Sequence, residues 1–234
     1  MDTAVVLVSG GVNSFVLTGL AAKEYTLALM HVTYGQRTAE RELSCFKAIC
    51  KHFTPGKNIV VPLSHFGTAG GSARVDKKLA IEDARTLGDA QPATYMPGLI
   101  PTMLGLAYHW ASAIGAKQIL VGSSENDARA LPRTSILFPD HKRELYHLYN
   151  QLVEMTARPD SKIQVRCPLI DMTRGEVILL GQRLALPFAL TWSCDRNTET
   201  PCGTCYGCAA RAQGFVDSAV PDPIMITEEG EQKE

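Results

Sequence analysis

The chain has 234 residues, 45% of them hydrophobic and 20% charged, with a formal net charge of −1. That balance excludes a global field drawing in nucleic acid or an anionic membrane, and the length fits one large domain or a domain with a small appendage. The apolar start is short and runs into glycines, so it does not read as a leader, and no run approaches membrane-spanning length; a soluble cytoplasmic protein is expected, with no direct nucleic-acid or membrane partner.

Ala4 to Val8 is a β-branched apolar run and predicts a buried strand. It leads directly into Ser9-Gly10-Gly11-Val12-Asn13-Ser14, and the periodic stretch Phe15 to Ala22 predicts a helix. Strand, small-residue turn and helix in succession put backbone N–H groups at a positive helix end, which is an anion cradle. The glycines allow a phosphate to approach bare backbone and allow φ > 0; Asn13 or Ser14 can cap the helix. A turn with no ligand remains the alternative on these six residues alone. Thr26 to Thr33 predicts a second strand, closed by Tyr34-Gly35-Gln36-Arg37, and Thr38 opens a helix to about Phe53. Asn58 to Leu63 predicts a third strand. The order β-α-β-α-β implies a parallel sheet with right-handed crossovers, so both polar turns lie at the carboxyl ends of strands, where such sheets bind ligands.

Residues 64–98 read as irregular, with only Asp76 to Arg85 able to form a helix; a connection this long reads as a lid or binding loop. Pro101 to Gly115 predicts a helix, Gln118 to Val121 a fourth strand, Ser123 to Pro139 a polar loop, His141 to Arg158 a helix and Ile163 to Val165 a short strand. Thr173 and Glu176 have capping-box spacing and predict a helix to about Leu184. The acidic residues 222–234 lack an apolar face and read as a tail.

Seven cysteines are an odd count for a disulfide framework. Four of them form Cys-x7-Cys-x2-Cys-x2-Cys at Cys194, Cys202, Cys205 and Cys208. Four thiolates suit a tetrahedral Zn²⁺ and leave no open position, so a structural zinc is expected, pinning a helix from Ala209 to Phe215; an iron–sulfur cluster and a redox Cys-x-x-Cys are the rival readings. Cys45, Cys50 and Cys167 read as small buried hydrophobes.

The first loop is neither a Walker A loop nor Gly-x-Gly-x-x-Gly. It resembles the Ser-Gly-Gly-x-Asp-Ser loop of the ATP pyrophosphatases. Taken in order with Tyr34-Gly35-Gln36-Arg37, Thr94-Tyr95-Met96-Pro97-Gly98, Pro168-Leu169-Ile170-Asp171, Thr191-Trp192-Ser193-Cys194 and Pro201-Cys202-Gly203-x-Cys205-x2-Cys208, the chain resembles the 7-cyano-7-deazaguanine synthase family over about residues 4–216. The resemblance implies a three-layer α/β fold, a parallel sheet with helices on both faces (PP-loop and HUP-like, as in adenine nucleotide hydrolases), and a small C-terminal four-cysteine zinc segment. The expected division is a PP-loop domain over 1–190, the zinc segment over 191–220 and a flexible tail over 221–234.

It also implies a chemistry. ATP, the co-substrate, adenylates the carboxylate of 7-carboxy-7-deazaguanine; an amine displaces AMP to give an amide, and a second adenylation dehydrates the amide to a nitrile. By resemblance, Ser9, Gly10, Gly11, Asn13 and Ser14 face the phosphates. Gln36, Arg37, Tyr95, Asp127 and Asp171 bind substrate, and Asn13, Arg37, Asp127 and Arg174 serve catalysis. For Asp171 the bland alternative is a helix-start residue, and for Asp127 a solvated loop carboxylate.

Four departures from the family pattern stand out, three of them changes of polarity. Asn13 replaces an Asp and offers Mg²⁺ only a neutral carbonyl oxygen, which weakens the expected metal. Leu99-Ile100 replaces Arg-Asn, and Pro132-Arg133-Thr134-Ser135 replaces Pro-Asp-Cys-Arg. Arg174 replaces a Lys and keeps the charge while changing donor shape. A kept scaffold with a rewritten site argues for a changed acceptor. The leading expectation is a ligase that couples the deazaguanine carboxylate to another amine, such as a partner protein's N-terminus, and stops at the amide, as in synthase-like relatives associated with antiviral defence. The alternatives are the standard nitrile-forming synthase and a non-catalytic base- or nucleotide-binding module. A homodimer is compatible with each.

Overall fold

The computed structural model describes residues 1–88, 90–124, 138–159 and 161–224. Five strands, β1 (Thr3–Leu7), β2 (Thr26–Thr33), β3 (Lys57–Pro62), β4 (Gln118–Leu120) and β5 (Gln164–Arg166), form one sheet in the order β3-β2-β1-β4-β5. Every pairing is parallel; Val5 sits opposite Ala28 on β2 and Ile119 on β4. The expected parallel sheet is therefore present, with β1 at its centre.

Alternation along β1 explains the layers. Val5 and Leu7 join Met30, Val32 and Ile119 in one core, while Ala4 and Val6 join Leu27, Leu29 and Leu120 in another. A strand apolar on both faces must be covered on both. The first face receives α4 (Leu99–Ile114) and α5 (Arg143–Thr156) through Leu104, Ala107, Tyr146 and Val153. The second receives α1 (Val12–Ala21), α2 (Ala39–Phe53), α6 (Arg174–Arg183) and α7 (Tyr206–Ser218) through Phe15, Phe46, Ile178 and Phe215. Among the described residues, no helix is long and apolar enough to cross a membrane.

Several boundaries differ from expectation for local reasons. α1 begins at Val12, not Phe15, and its N-cap is Gly11 with no side-chain cap bond. Gly10, at φ +91°, turns the chain in a single residue, so neither Asn13 nor Ser14 is needed as a cap. α4 begins at Leu99, ahead of Pro101, because a proline in the first turn lacks only an N–H that the helix leaves unpaired anyway. The stretch Asp76 to Arg85 is not helical. Asp76 Oδ1 accepts from the Lys78 amide and Asp83 Oδ1 from the Arg85 amide, each at 2.9 Å, and these local bonds compete with a helix. A short α3 (Ser64–Ala69) was not foreseen. The capping box is present: Glu176 N–H donates to Thr173 Oγ1 at 3.3 Å and Thr173 N–H to Glu176 Oε2 at 2.7 Å.

Candidate functional site

The β1–α1 loop is held from several sides. His31 Nδ1 donates to the Val8 carbonyl at 2.8 Å while its ring stacks on Phe46 at 5.2 Å. Burial holds this imidazole below its usual pKa, so it is a neutral brace. Ser14 Oγ donates to the Gly11 carbonyl at 3.0 Å and lies 3.2 Å from Ser9 Oγ. The Trp192 amide donates to the Gly10 carbonyl at 2.9 Å. At Gly10 a Cβ would stand 3.0 Å from both Cys45 Cβ and the Glu42 carbonyl oxygen, in a conformation L side chains disfavour. Gly122, just past β4, lies close to the same loop: a Cβ there would be 3.0 Å from the Ser14 nitrogen. Gly11 makes no side-chain cap bond, and the positive end of α1 lies on the side of the loop that an anion would approach.

Beside this loop is a cavity of about 330 Å³. Ser9, Gly11, Asn13 and Ser14 line one part of it, and Tyr95, Met96, Leu99, Ile100 and Phe138 another. Arg174 also lines it. Its stem runs across Gly214 of α7, where a Cβ would sit 2.5 Å from Arg174 Cγ, so the missing side chain makes room for the arginine.

Other expected site residues lie elsewhere. Gln36 is buried and does not line the cavity; its Oε1 accepts from the Tyr34 amide at 2.7 Å and its Nε2 donates to Glu42 Oε2 at 2.9 Å. Arg37 is also outside the lining. Its Nη2 donates to the carbonyls of Asp76 at 2.7 Å and Leu79 at 2.8 Å, and its amide to the Arg74 carbonyl at 2.8 Å. Both therefore support residues that do reach the cavity, Glu42 and Arg74. Gly10 supports the loop from behind. Asp171 is outside the lining, exposed and paired with Arg143. Asp127 and the Pro132–Ser135 stretch lie outside the described residues.

Among the lining groups that sequence reasoning missed are Arg74, Asp140, Arg211 and Glu42. Arg74 donates to the Tyr34 hydroxyl at 3.1 Å and pairs with Asp195 at 3.3 Å. The Tyr34 hydroxyl beside it, then Asp195 and Glu42, hold the guanidinium charged. Asp140 belongs to a 3-10 turn over Pro139–His141, and burial pushes its carboxyl up against the pull of His141 and Arg74. Arg211 is fully buried, with Nε and Nη2 on Asp222 at 2.6 and 2.8 Å and Nη1 on Thr191 Oγ1 at 2.8 Å. Glu42 completes the set. Pro139-Asp140 repeats the Pro-Asp of the family's Pro-Asp-Cys-Arg a few residues past the stretch assigned to it, a signal that could have found Asp140; the other positions carry no such local signal.

The four cysteines converge. The sulfurs of Cys194, Cys202, Cys205 and Cys208 all lie within 4.8 Å of one another, with Cys202–Cys208 at 3.9 Å and Cys194–Cys205 at 4.0 Å. A tetrahedral zinc with Zn–S bonds of about 2.3 Å separates its sulfurs by about 3.8 Å, so the donor set fits that ion. Amides point at the sulfurs as thiolates require: Cys205 N–H donates to Cys202 Sγ at 3.3 Å and Asp195 N–H to Cys205 Sγ at 3.4 Å. Four sulfurs close the coordination sphere, which suits structure and not catalysis. The segment also walls the cavity through Trp192, Cys194, Asp195 and Tyr206.

The family model described as "Queuosine biosynthesis protein QueC" matches residues 3–219. The chain is 36% identical over 222 residues to the 7-cyano-7-deazaguanine synthase of Chlorobaculum parvum, covering 94% of this chain and 95% of that protein. It is 37% identical over 222 residues to the protein of the same name from Chlorobium phaeovibrioides, covering 94% and 95%. Among solved structures, the NMN synthetase of Francisella tularensis aligns with a TM-score of 0.48 at 10% identity, covering 94% of this chain and 78% of that one. On the family match and the full-length relatives together, the chain belongs to the QueC family.

Proposed function

We propose that the protein is an ATP-dependent carbon–nitrogen ligase acting on 7-carboxy-7-deazaguanine. The observation that carries this is the uncapped α1 N-terminus opening onto the same cavity as an aromatic and apolar slot. A phosphate chain and a flat base can then lie side by side, with the carboxylate against the α-phosphorus. That oxygen attacks phosphorus and pyrophosphate leaves; an amine nitrogen then attacks the acyl carbon and AMP leaves. Ser9, Gly11, Asn13 and Ser14 would hold the phosphates, Arg174 would offset their charge, and Tyr95 would face the base. A bound Mg²⁺ would neutralise phosphate oxygens; Asn13 offers it only a neutral oxygen, and Glu42, Asp140 and Asp195 are carboxylates on the lining.

The names of the curated relatives support the nitrile as final product, reached when the amide oxygen is adenylated in turn and AMP leaves. A second reading stops at the amide on a larger amine, such as a protein N-terminus. It is favoured by the apolar lining of Leu99, Ile100 and Met103, which gives ammonia nothing to bond and an aliphatic chain a surface to cover. The test is incubation with ATP, Mg²⁺, 7-carboxy-7-deazaguanine and ammonia, reading product mass and AMP. Nitrile with AMP supports the synthase. Absence of nitrile, with a mass gain on a co-expressed protein, supports the second reading. Tight binding without AMP refutes both and leaves a binding module.

A further inference from the structure

We propose that Asp140 is the specificity-determining residue of the cavity, its carboxylate accepting from the adjacent ring N–H and 2-amino group of a guanine-type base held against Phe138. This deepens the reading above and rests on its deazaguanine substrate.

Asp140 Oδ1 is buried and has no hydrogen-bond partner among the described residues. A buried acceptor left without a donor is costly, and native structures rarely tolerate one. The 3-10 turn fixes the side chain: Pro139 restricts the backbone, and the His141 amide donates to the Phe138 carbonyl at 3.1 Å. Asp140 lines the cavity, so a molecule bound there can bring the missing donor to the carboxylate.

The surroundings say what kind of molecule brings it. Phe138 lies 6.1 Å from Tyr95 and 5.2 Å from Tyr206 between ring centroids, and all three line the cavity with Asp140. Aromatic walls take a flat heterocycle. Of the common base edges, a guanine-type edge presents two N–H donors side by side, which match the two oxygens of a carboxylate. An adenine-type edge presents a lone pair beside its amino group, and that lone pair would face a negative oxygen. The burial that pushes the Asp140 carboxyl up is relieved when two donors arrive. The cations Arg74 and Arg174 line the same cavity and give it positive charge toward the anionic ends of the ligands.

The test is calorimetric titration of the full-length, metal-loaded protein with 7-carboxy-7-deazaguanine and with its counterpart lacking the 2-amino group, alongside a non-hydrolysable ATP analogue. The expected wild-type preference for the 2-amino compound is about ten- to hundredfold, the worth of a good bidentate contact. Asp140→Ala should bring that ratio close to one while leaving the affinity for the ATP analogue in place; Asp140→Asn, which keeps the shape, should retain a small part of it. A residue with only a packing role would weaken both deazapurines alike. Equal wild-type binding of the two compounds overturns the proposal and leaves the proposed substrate standing. So does a preference that survives Asp140→Ala, or a loss confined to the ATP analogue. Failure of the wild type to bind either deazapurine overturns the proposal and the substrate reading together.

Discussion

Gly207 is the second residue of α7 and lies between the two cysteine-bearing stretches. A Cβ at this position would stand 1.9 Å from the Ser193 carbonyl oxygen, 3.1 Å from the Ser193 carbonyl carbon and 3.0 Å from Asp195 Oδ2. The obstacle is backbone, so no rotamer change relieves it. Reaching even a 3.0 Å contact requires a shift of at least about 1.1 Å between neighbours of Cys194 and Cys208. Metal–ligand distances tolerate about 0.2 Å. Gly207→Ala should therefore open the tetrad and release the ion. Overpacking that side chains can absorb costs about 1–3 kcal/mol; here the backbone must move, so about 3 kcal/mol is a floor. For a chain of this length that lowers Tm by about 6–12 °C. The assay is zinc per chain by elemental analysis, together with thermal unfolding. Gly203→Ala is the control: φ is +70° with nothing within 4 Å, so only the left-handed penalty of about 1–2 kcal/mol applies and the metal stays. A Gly207→Ala protein carrying a full complement of zinc, with Tm within about 2 °C of wild type, would refute the reasoning.

Asp222→Ala should cost about 3–5 kcal/mol in denaturant titrations, because it strands the Arg211 cation in near-complete burial; a loss below about 1 kcal/mol would contradict the bidentate pair. Gly122→Ala should weaken binding of a non-hydrolysable ATP analogue about tenfold, since its Cβ would press on Asn13 and Ser14 at 3.0–3.2 Å; unchanged affinity would show the loop indifferent to this approach. Cys50 and Cys167 are pushed up to about 11 and about 12 by burial. Since the thiolate is the reactive form, their fraction at pH 8 is on the order of one in a thousand and one in ten thousand. Iodoacetamide should spare both in the native protein, with labelling rising about tenfold per pH unit below the pKa; rapid native labelling at pH 8, read by mass spectrometry, would overturn the assignment.

What the sequence makes legible is what neighbours along the chain decide. The β1 run, the glycine turn and α1 follow from a few adjacent residues, as does the Thr173–Glu176 box. The cysteine spacing constrains four ligands strongly enough that their convergence follows. Partnerships across the chain leave no such trace. Gln36 and Arg37 look like site residues because their turn lies at the right sheet edge. The loop around 72–79 packs onto that turn, so Arg37 ends on two of its carbonyls and Arg74 reaches the cavity instead. The helix expected over 76–85 gives way because Ala84 N–H is drawn to the Thr204 carbonyl at 2.8 Å and Ile81 packs against the cysteines. Asp140 sits beyond a stretch without periodicity, and only the fold puts it on one cavity lining with Tyr206.

The bond from the Trp192 amide to the Gly10 carbonyl joins two parts of the molecule that chemistry would treat separately. Cys194 follows Trp192 by two residues, and Arg41 lies over the indole at 4.5 Å. An ion held by the four sulfurs would thus stiffen, through two peptide units, the turn proposed to meet the nucleotide. If the proposed nucleotide site is right, a chelator or an oxidant acting on the thiolates would be felt as a slackened phosphate grip before the sheet itself gave way, and metal supply and the cell's redox state would then set the working condition of a cavity that Cys194 already lines.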